Sequence, residues 1–193
     1  MSDDASNGYD AIADDFIAVR SASGRDVVDA WAHSLPAKSA VIDLGAGHGE
    51  PLTSVLIDRG LMVCAIDASP KMVAAFSARF PDVEIACEAV EDSRFFDRRF
   101  DGAIAVGLIF LLPEDRQRRA IKNIAEALKP GGRFLFSAPR QVCAWEDLLT
   151  GLPSRSLGAD AYRRLLDDCD LDLDAEHEDA GGTHYYDAVK QLR

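Results

Sequence analysis

Apolar and polar positions divide the chain into short, largely unbroken apolar runs separated by amphipathic stretches of helical length. The runs are Ala40 to Leu44, Leu61 to Ile66, Val83 to Cys87, Gly102 to Val106 and Arg133 to Ser137. Their apolar residues are consecutive rather than alternate, as in strands whose sheet is covered on both faces, so the five are predicted to be central strands of a parallel sheet. Helices are predicted over Gly24 to His33, Pro51 to Arg59, Pro70 to Phe80 and Glu114 to Leu128, with a further one over Asp10 to Arg20 ahead of the sheet. Ser69-Pro70 supplies a capping hydroxyl followed by a proline where no amide is needed, and Lys129-Pro130-Gly131-Gly132 ends the helix before it.

After Ser137 the periodicity lapses for about twenty residues that include Trp145, well beyond the usual connection of about 4–6 residues. A helix over Ala159 to Cys169 follows. Two runs that alternate apolar and polar, LDLDAEHED and THYYDAVKQ, flank a loop at Gly181-Gly182 and are predicted to pair antiparallel at one edge of the sheet. Strands alternating with helices predict an α/β three-layer sandwich. Its expected organisation is one domain over 1–193: an N-terminal helical cap (1–35), a ligand-binding core (36–138), and a segment of substrate-side loops and edge strands (139–193).

Composition narrows the possibilities. With 21 basic against 33 acidic residues the net charge is −12, which opposes binding to a phosphate backbone. No stretch approaches the ~18 apolar residues of a membrane span. The acidic start, MSDDASNGYD, lacks the basic-then-apolar plan of a secretory leader. Cys64, Cys87, Cys143 and Cys169 show no close pairing, and the reading is a cytoplasmic protein with reduced thiols. No Cys/His/Asp cluster has metal-ligand spacing, so no metal is expected.

Candidate chemistry concentrates in VIDLGAGHGEP, residues 41–51. The glycines fall as G-x-G-x-G, and Glu50 occupies the third slot of the dinucleotide fingerprint G-x-G-x-x-G. Asp43, two residues before Gly45, places negative charge where a dinucleotide pyrophosphate would lie, and the same carboxylate favours a cationic ligand. MVCAID ends in Asp67, twenty residues after Gly47, the spacing at which a nucleotide-binding βαβ unit places a carboxylate on ribose hydroxyls.

These stretches, together with CEAVEDSRFFDRRFDGAIAVGLIFLLP (87–113) and LKPGGRFLFS (128–137), resemble the ordered motifs of the class I (Rossmann-like) S-adenosylmethionine-dependent methyltransferases, in a small single-domain bacterial form. The resemblance implies a seven-stranded, mostly parallel sheet of order 3-2-1-4-5-7-6 with the last strand antiparallel. It implies S-adenosylmethionine (SAM) as cofactor. Cofactor contacts are then expected from Asp43, Gly45, Ala46 and Gly47 in the glycine loop, and from Asp67 and Ala68 after the second strand. Val90 and Glu91 are expected at the adenine edge, with Glu88 and Ala89 as the alternative if the loop is offset. Val106 is expected against the nucleoside, and Leu111 on the floor. In the N-terminal segment, Tyr9 is expected over the sulfonium or its methyl, and Arg20 against the cofactor carboxylate. His48 is expected to serve the turn alone.

The expected activity is in-line transfer of the sulfonium methyl to an O, N or C atom of a small molecule by a monomer or homodimer acting on neither nucleic acid nor membrane. The N/D-P-P-Y/F motif of relatives that methylate amide or exocyclic amino nitrogen is replaced by AVGLIFLLP. Substrate-side candidates are Trp145, Glu146, His184 and Tyr185, and no general base is identified. The alternatives are a non-catalytic domain binding SAM or its product, and an NAD-dependent oxidoreductase.

Overall fold

The computed structural model describes residues 4–192. The first three residues of the acidic start, and Arg193, lie outside the described residues. A sheet of seven strands runs β3-β2-β1-β4-β5-β9-β8. Its parallel part is β1 (Ala40–Leu44), β2 (Met62–Asp67), β3 (Glu84–Cys87), β4 (Phe100–Ala105) and β5 (Leu128–Ser137), but β3, expected to be central, lies at the sheet edge and has no fully buried residue. β8 (Leu171–Glu178) and β9 (His184–Lys190) close the far edge. β9 runs antiparallel to both β5 and β8. With β9 and β8 as the seventh and sixth strands of the sheet, this is the expected order. The expected apolar runs are found to within five residues at each end, Ala40–Leu44 with the same bounds and the largest difference at β5, which starts at Leu128.

Helices α1 (Ala13–Val19), α2 (Arg25–His33), α3 (Leu52–Asp58), α4 (Pro70–Arg79), α5 (Glu114–Ala127) and α6 (Ala159–Asp168) surround the sheet. Two apolar clusters result. One joins α2 and α3 to Val41, Ile104, Leu135 and Tyr185. The other joins α5 and α6 to Ile42, Leu44, Phe134, Phe136 and Tyr186. Neighbouring strand residues thus feed opposite layers, as a pleat of period two requires. The start of α4 is capped as the sequence suggests, Met72 N donating to Ser69 Oγ at 3.1 Å.

The aperiodic stretch after β5 is not a bare loop. β6 (Val142–Glu146) and β7 (Pro153–Leu157) form a separate two-stranded antiparallel hairpin. Its inward positions include Ser154 and Ser156, both buried, so the alternation is carried by serines and leaves no hydrophobic trace in the sequence. Gln117, fully buried on α5, ties the hairpin down. Its Nε2 donates to Leu112 O (2.9 Å) and Arg155 O (3.1 Å), and its Oε1 accepts from Tyr162 Oη of α6 (2.8 Å).

Candidate functional site

A cavity of about 300 Å³ opens at the carboxyl ends of β1, β2, β4 and β5, where open α/β sheets bind ligands. The glycine loop after β1 forms one wall. Gly45 N and Ala46 N both donate to Ile66 O of β2, at 2.8 and 3.1 Å, which folds the loop back onto the neighbouring strand. Gly47 has φ +58°, a conformation that costs a side-chain-bearing residue energy. Its amide donates to Asp67 Oδ2 at 2.8 Å. Ser69 N donates to Asp67 Oδ1 at 2.8 Å. The twenty-residue spacing is therefore realised as a direct contact, with each carboxylate oxygen held by one amide and lone pairs remaining for a ligand. Gly49 serves packing instead: at φ +89°, a Cβ there would lie 2.3 Å from the Phe80 ring.

Asp43 is buried at the base of the cavity and accepts from Thr53 Oγ1 at 2.6 Å. Burial raises its pKa to about 6, with the nearby Asp67 carboxylate adding to the rise and Thr53 and Arg20 opposing it. Burial also raises the pKa of Asp67, against the two amide bonds that lower it. Arg20, half-buried just past α1, lies 5.9 Å over the Phe16 ring and has no carboxylate within ion-pair distance among the described residues. Removal from water depresses its pKa, and the charges of Tyr185, Asp43 and Tyr9 oppose the depression. A buried carboxylate and an unpaired guanidinium thus share one cavity.

Of the residues singled out in the sequence, Tyr9, Arg20, Asp43, Gly45, Ala46, Gly47, Asp67, Ala68, Val106, Leu111 and Tyr185 line this cavity together, and so does His48. Others do not reach it. Val90 is buried in the core. Glu91, beside it on a 3₁₀ turn, is 3% exposed, pairs with Arg116 of α5 at 3.3 Å and accepts at its backbone oxygen from Asn123. Glu88 accepts from Ser93 Oγ at 2.6 Å, and neither it nor Ala89 is at the cavity wall. Trp145 stands behind the wall, its ring 5.4 Å from that of Phe110. Glu146 is exposed. His184 turns to the other face of β9, with Nε2 3.0 Å from Glu176, while its neighbour Tyr185 faces the cavity. His48 is buried in the loop, and that burial holds its pKa down.

Sequence reasoning missed Phe16, Leu108, Phe110, Ser137, Thr183 and Asp147, all at the wall. Asp147 sits in the β6–β7 turn and accepts from Tyr9 Oη at 3.2 Å, which fastens the hairpin to the N-terminal segment across the cavity mouth. Nearby, Gly8 lies against Leu152 and Thr150 of the same hairpin. The sequence signal was the long aperiodic stretch, which pointed to the region without identifying the residue.

Residues 41–132 match the family model described as a methyltransferase domain. An uncharacterized methyltransferase of Mycobacterium tuberculosis is 37% identical over 102 residues, covering 52% of this chain and 40% of that protein. The demethylmenaquinone methyltransferase of Paenarthrobacter aurescens is 32% identical over 168 residues, covering 84% of this chain and 64% of the relative. The chain thus matches less than two thirds of the length of these curated relatives. Among solved structures, a Burkholderia thailandensis 1,6-didemethyltoxoflavin-N1-methyltransferase, crystallised with 1,6-didemethyltoxoflavin and S-adenosylhomocysteine, aligns with TM-score 0.70 at 24% identity over 96% of this chain and 90% of that one. A glycopeptide N-methyltransferase complexed with SAM aligns with TM-score 0.71 at 22% identity, over 88% and 95%. The sheet order and the cavity at its strand ends define a Rossmann-like α/β ligand-binding domain. More specifically, residues 41–132 match a methyltransferase-domain family, and the fold is that of the solved methyltransferase structures above. Among the described residues no helix is long and apolar enough to cross a membrane, and no group of three potential metal ligands is found.

Proposed function

We propose that this domain transfers a methyl group from SAM to a small-molecule acceptor. The observation that carries the reading is the pairing of opposite charges in one cavity: unpaired Arg20 lines the same space as buried Asp43 and half-buried Asp67. That arrangement complements a nucleoside bearing a zwitterionic amino-acid tail. The residues fit the cofactor. Arg20 would hold its carboxylate, Asp43 its ammonium directly or through water, and Asp67 the ribose hydroxyls through charge-assisted bonds. The bare backbone of Gly45 and Gly47 allows close approach. Val106 and Ala68 offer apolar contact, and Tyr9 covers the reacting end.

When bound, the sulfonium supplies the driving force for methyl transfer. The chain's own contribution is to fix donor and acceptor in line and to exclude water, and such positioning is worth about 7–11 kcal/mol of barrier. The Tyr9–Asp147 contact closes the mouth over the cavity and serves that exclusion. Two neighbours that align over most of this chain act, by their names, on a toxoflavin precursor and a glycopeptide, which supports a discrete acceptor molecule rather than a polymer. Titration calorimetry with S-adenosylhomocysteine tests the reading. Micromolar or tighter binding that falls at least tenfold in Asp67→Asn is expected; no binding, or binding of NADH in its place, overturns it.

A further inference from the structure

The acceptor side of the cavity has a hydrogen-bonding polarity of its own. Asp147 Oδ1 accepts from Leu149 N (3.1 Å), Thr150 N (2.9 Å) and Thr150 Oγ1 (3.1 Å), which saturates that oxygen inside the turn. Oδ2 accepts only from Tyr9 Oη, at 3.2 Å, and no cation pairs with Asp147 among the described residues. A carboxylate oxygen has about two lone-pair directions, so Oδ2 keeps one for the cavity that Asp147 lines. Tyr9 has given its only proton to Asp147. Tyr185 has given its own to Asp179, at 2.9 Å. Ser137 Oγ accepts from Gly107 N at 2.8 Å. Tyr9 and Tyr185 thus line the cavity with their protons already given away, while the Ser137 hydroxyl proton and the unpartnered Nδ2 of Asn7 are the donors left at the wall. The cationic side chain at the wall is Arg20, already matched to the cofactor carboxylate, and burial favours the neutral form of His48. Part of the remaining wall is apolar: Phe110 backed by Trp145, with Leu111 and Leu112 beside it.

From this we infer that the acceptor is a compact aromatic molecule whose methylated atom carries an N–H or O–H, and that Asp147 accepts its hydrogen bond and then its proton. The inference rests on the proposed methyltransferase reading. An anionic acceptor finds no free counter-ion here and meets a fixed carboxylate, whereas a donor group finds the open position on Asp147 Oδ2. In the transfer, the acceptor's lone pair forms the new bond to the methyl carbon. The sulfur–methyl bond breaks with its electrons passing to sulfur, and the proton released from nitrogen or oxygen moves to Asp147 and on to solvent. The cavity of about 300 Å³ lies at the lower end of small-molecule sites, roughly 300–1,000 Å³, and the acceptor shares it with the cofactor, which favours a small molecule.

The test is a binding screen on the full chain saturated with S-adenosylhomocysteine, read by ligand-observed NMR and calorimetry. Aniline and indole represent N–H donors, phenol and naphthol O–H donors, and benzoate and phenyl phosphate anions. The expected result is that one neutral donor class binds, the anions bind at least tenfold more weakly, and Asp147→Asn weakens the neutral class at least tenfold with S-adenosylhomocysteine affinity unchanged. The Asn carbonyl preserves the turn while its amide presents N–H where the ligand's donor points. Tyr9→Phe, which frees Oδ2 without altering the turn, is expected to keep the preference for neutral donors. Anions binding as well as neutral donors, equal binding to Asp147→Asn, or no fragment binding at millimolar concentration would each overturn the inference. Failure of S-adenosylhomocysteine itself to bind is a separate outcome that rejects the parent reading.

Discussion

Replacing Asp43 by Asn is expected to make the ligand-free protein more stable and the cofactor complex weaker. Burial holds the folded-state pKa of Asp43 near 6, against an ordinary 3.8. The folded state therefore binds a proton more tightly than the unfolded chain does. Ionised Asp43 then opposes folding by about 3 kcal/mol at neutral pH, since each pKa unit corresponds to about 1.4 kcal/mol. Above pH 6 the group is ionised in both states and the full cost applies. Between pH 6 and 4 the folded protein takes up a proton that the unfolded chain still lacks, and the cost shrinks. Below pH 4 both are protonated and it vanishes. Asn keeps an oxygen for the Thr53 hydroxyl and carries no charge, so its advantage follows the same curve. At pH 7.5 the gain corresponds to roughly 6–12 °C in Tm, at about 2–4 °C per kcal/mol for a domain of this size. Calorimetric scans of both proteins from pH 4 to 8 measure it. S-adenosylhomocysteine affinity is expected to fall tenfold or more in the variant, because the carboxylate facing the ammonium is gone. An unchanged Tm at pH 7.5, or a gain undiminished at pH 4, refutes the reasoning about Asp43.

Other substitutions separate site from scaffold. Arg20→Ala is expected to cost S-adenosylhomocysteine about 10- to 100-fold in affinity while changing that of 5′-methylthioadenosine, which lacks the carboxylate, by less than about threefold; charge-assisted bonds of about 1.5–3 kcal/mol set the scale, and equal losses for both ligands in calorimetry would refute the role given to Arg20. Gly49→Ala forces a Cβ to within 2.3 Å of the Phe80 ring at φ +89° and is expected to destabilise by about 2–5 kcal/mol through strain and overpacking together, read as a lowered urea midpoint. Gln117→Leu leaves the Tyr162 hydroxyl proton without its acceptor and removes the side-chain donor to the Leu112 and Arg155 carbonyls, for an expected cost of about 2–4 kcal/mol, with proteolysis beginning in the 142–157 hairpin that it no longer anchors.

Where a residue's role depends on local chain pattern, the sequence was sufficient. Five parallel strands declared themselves as apolar runs, although β3 at the sheet edge is only partly covered, and Asp43, Gly47 and Asp67 could be placed because a strand end, a turn and a fixed spacing determine where they lie. Roles set by long-range partners were not readable. His184 and Tyr185 are adjacent and both suited to chemistry. Period two sends one to each face of β9, and only the packing of α2 against that sheet decides which face meets the cavity. Glu91 has the residue type and approximate position for an adenine contact, but Arg116, twenty-five residues further on, holds its carboxylate. Asp147 was invisible for a different reason: the hairpin that presents it buries serines, so no hydrophobic alternation announces a strand.

The position of β9 between β5 and β8 has a consequence for how the molecule assembles. Neighbours in the sheet are here not neighbours in the chain, and β8 can join only by pairing with a strand that has itself docked on β5. Docking of β9, alone or already paired with β8, closes a loop of nearly fifty residues between β5 and β9 and brings Asp187 to the indole of Trp31 from 156 residues away. Contacts so distant along the chain are slow to form. The β1–β2 half, complete within thirty residues, is positioned to assemble first and serve as the template on which the acceptor wall is later raised.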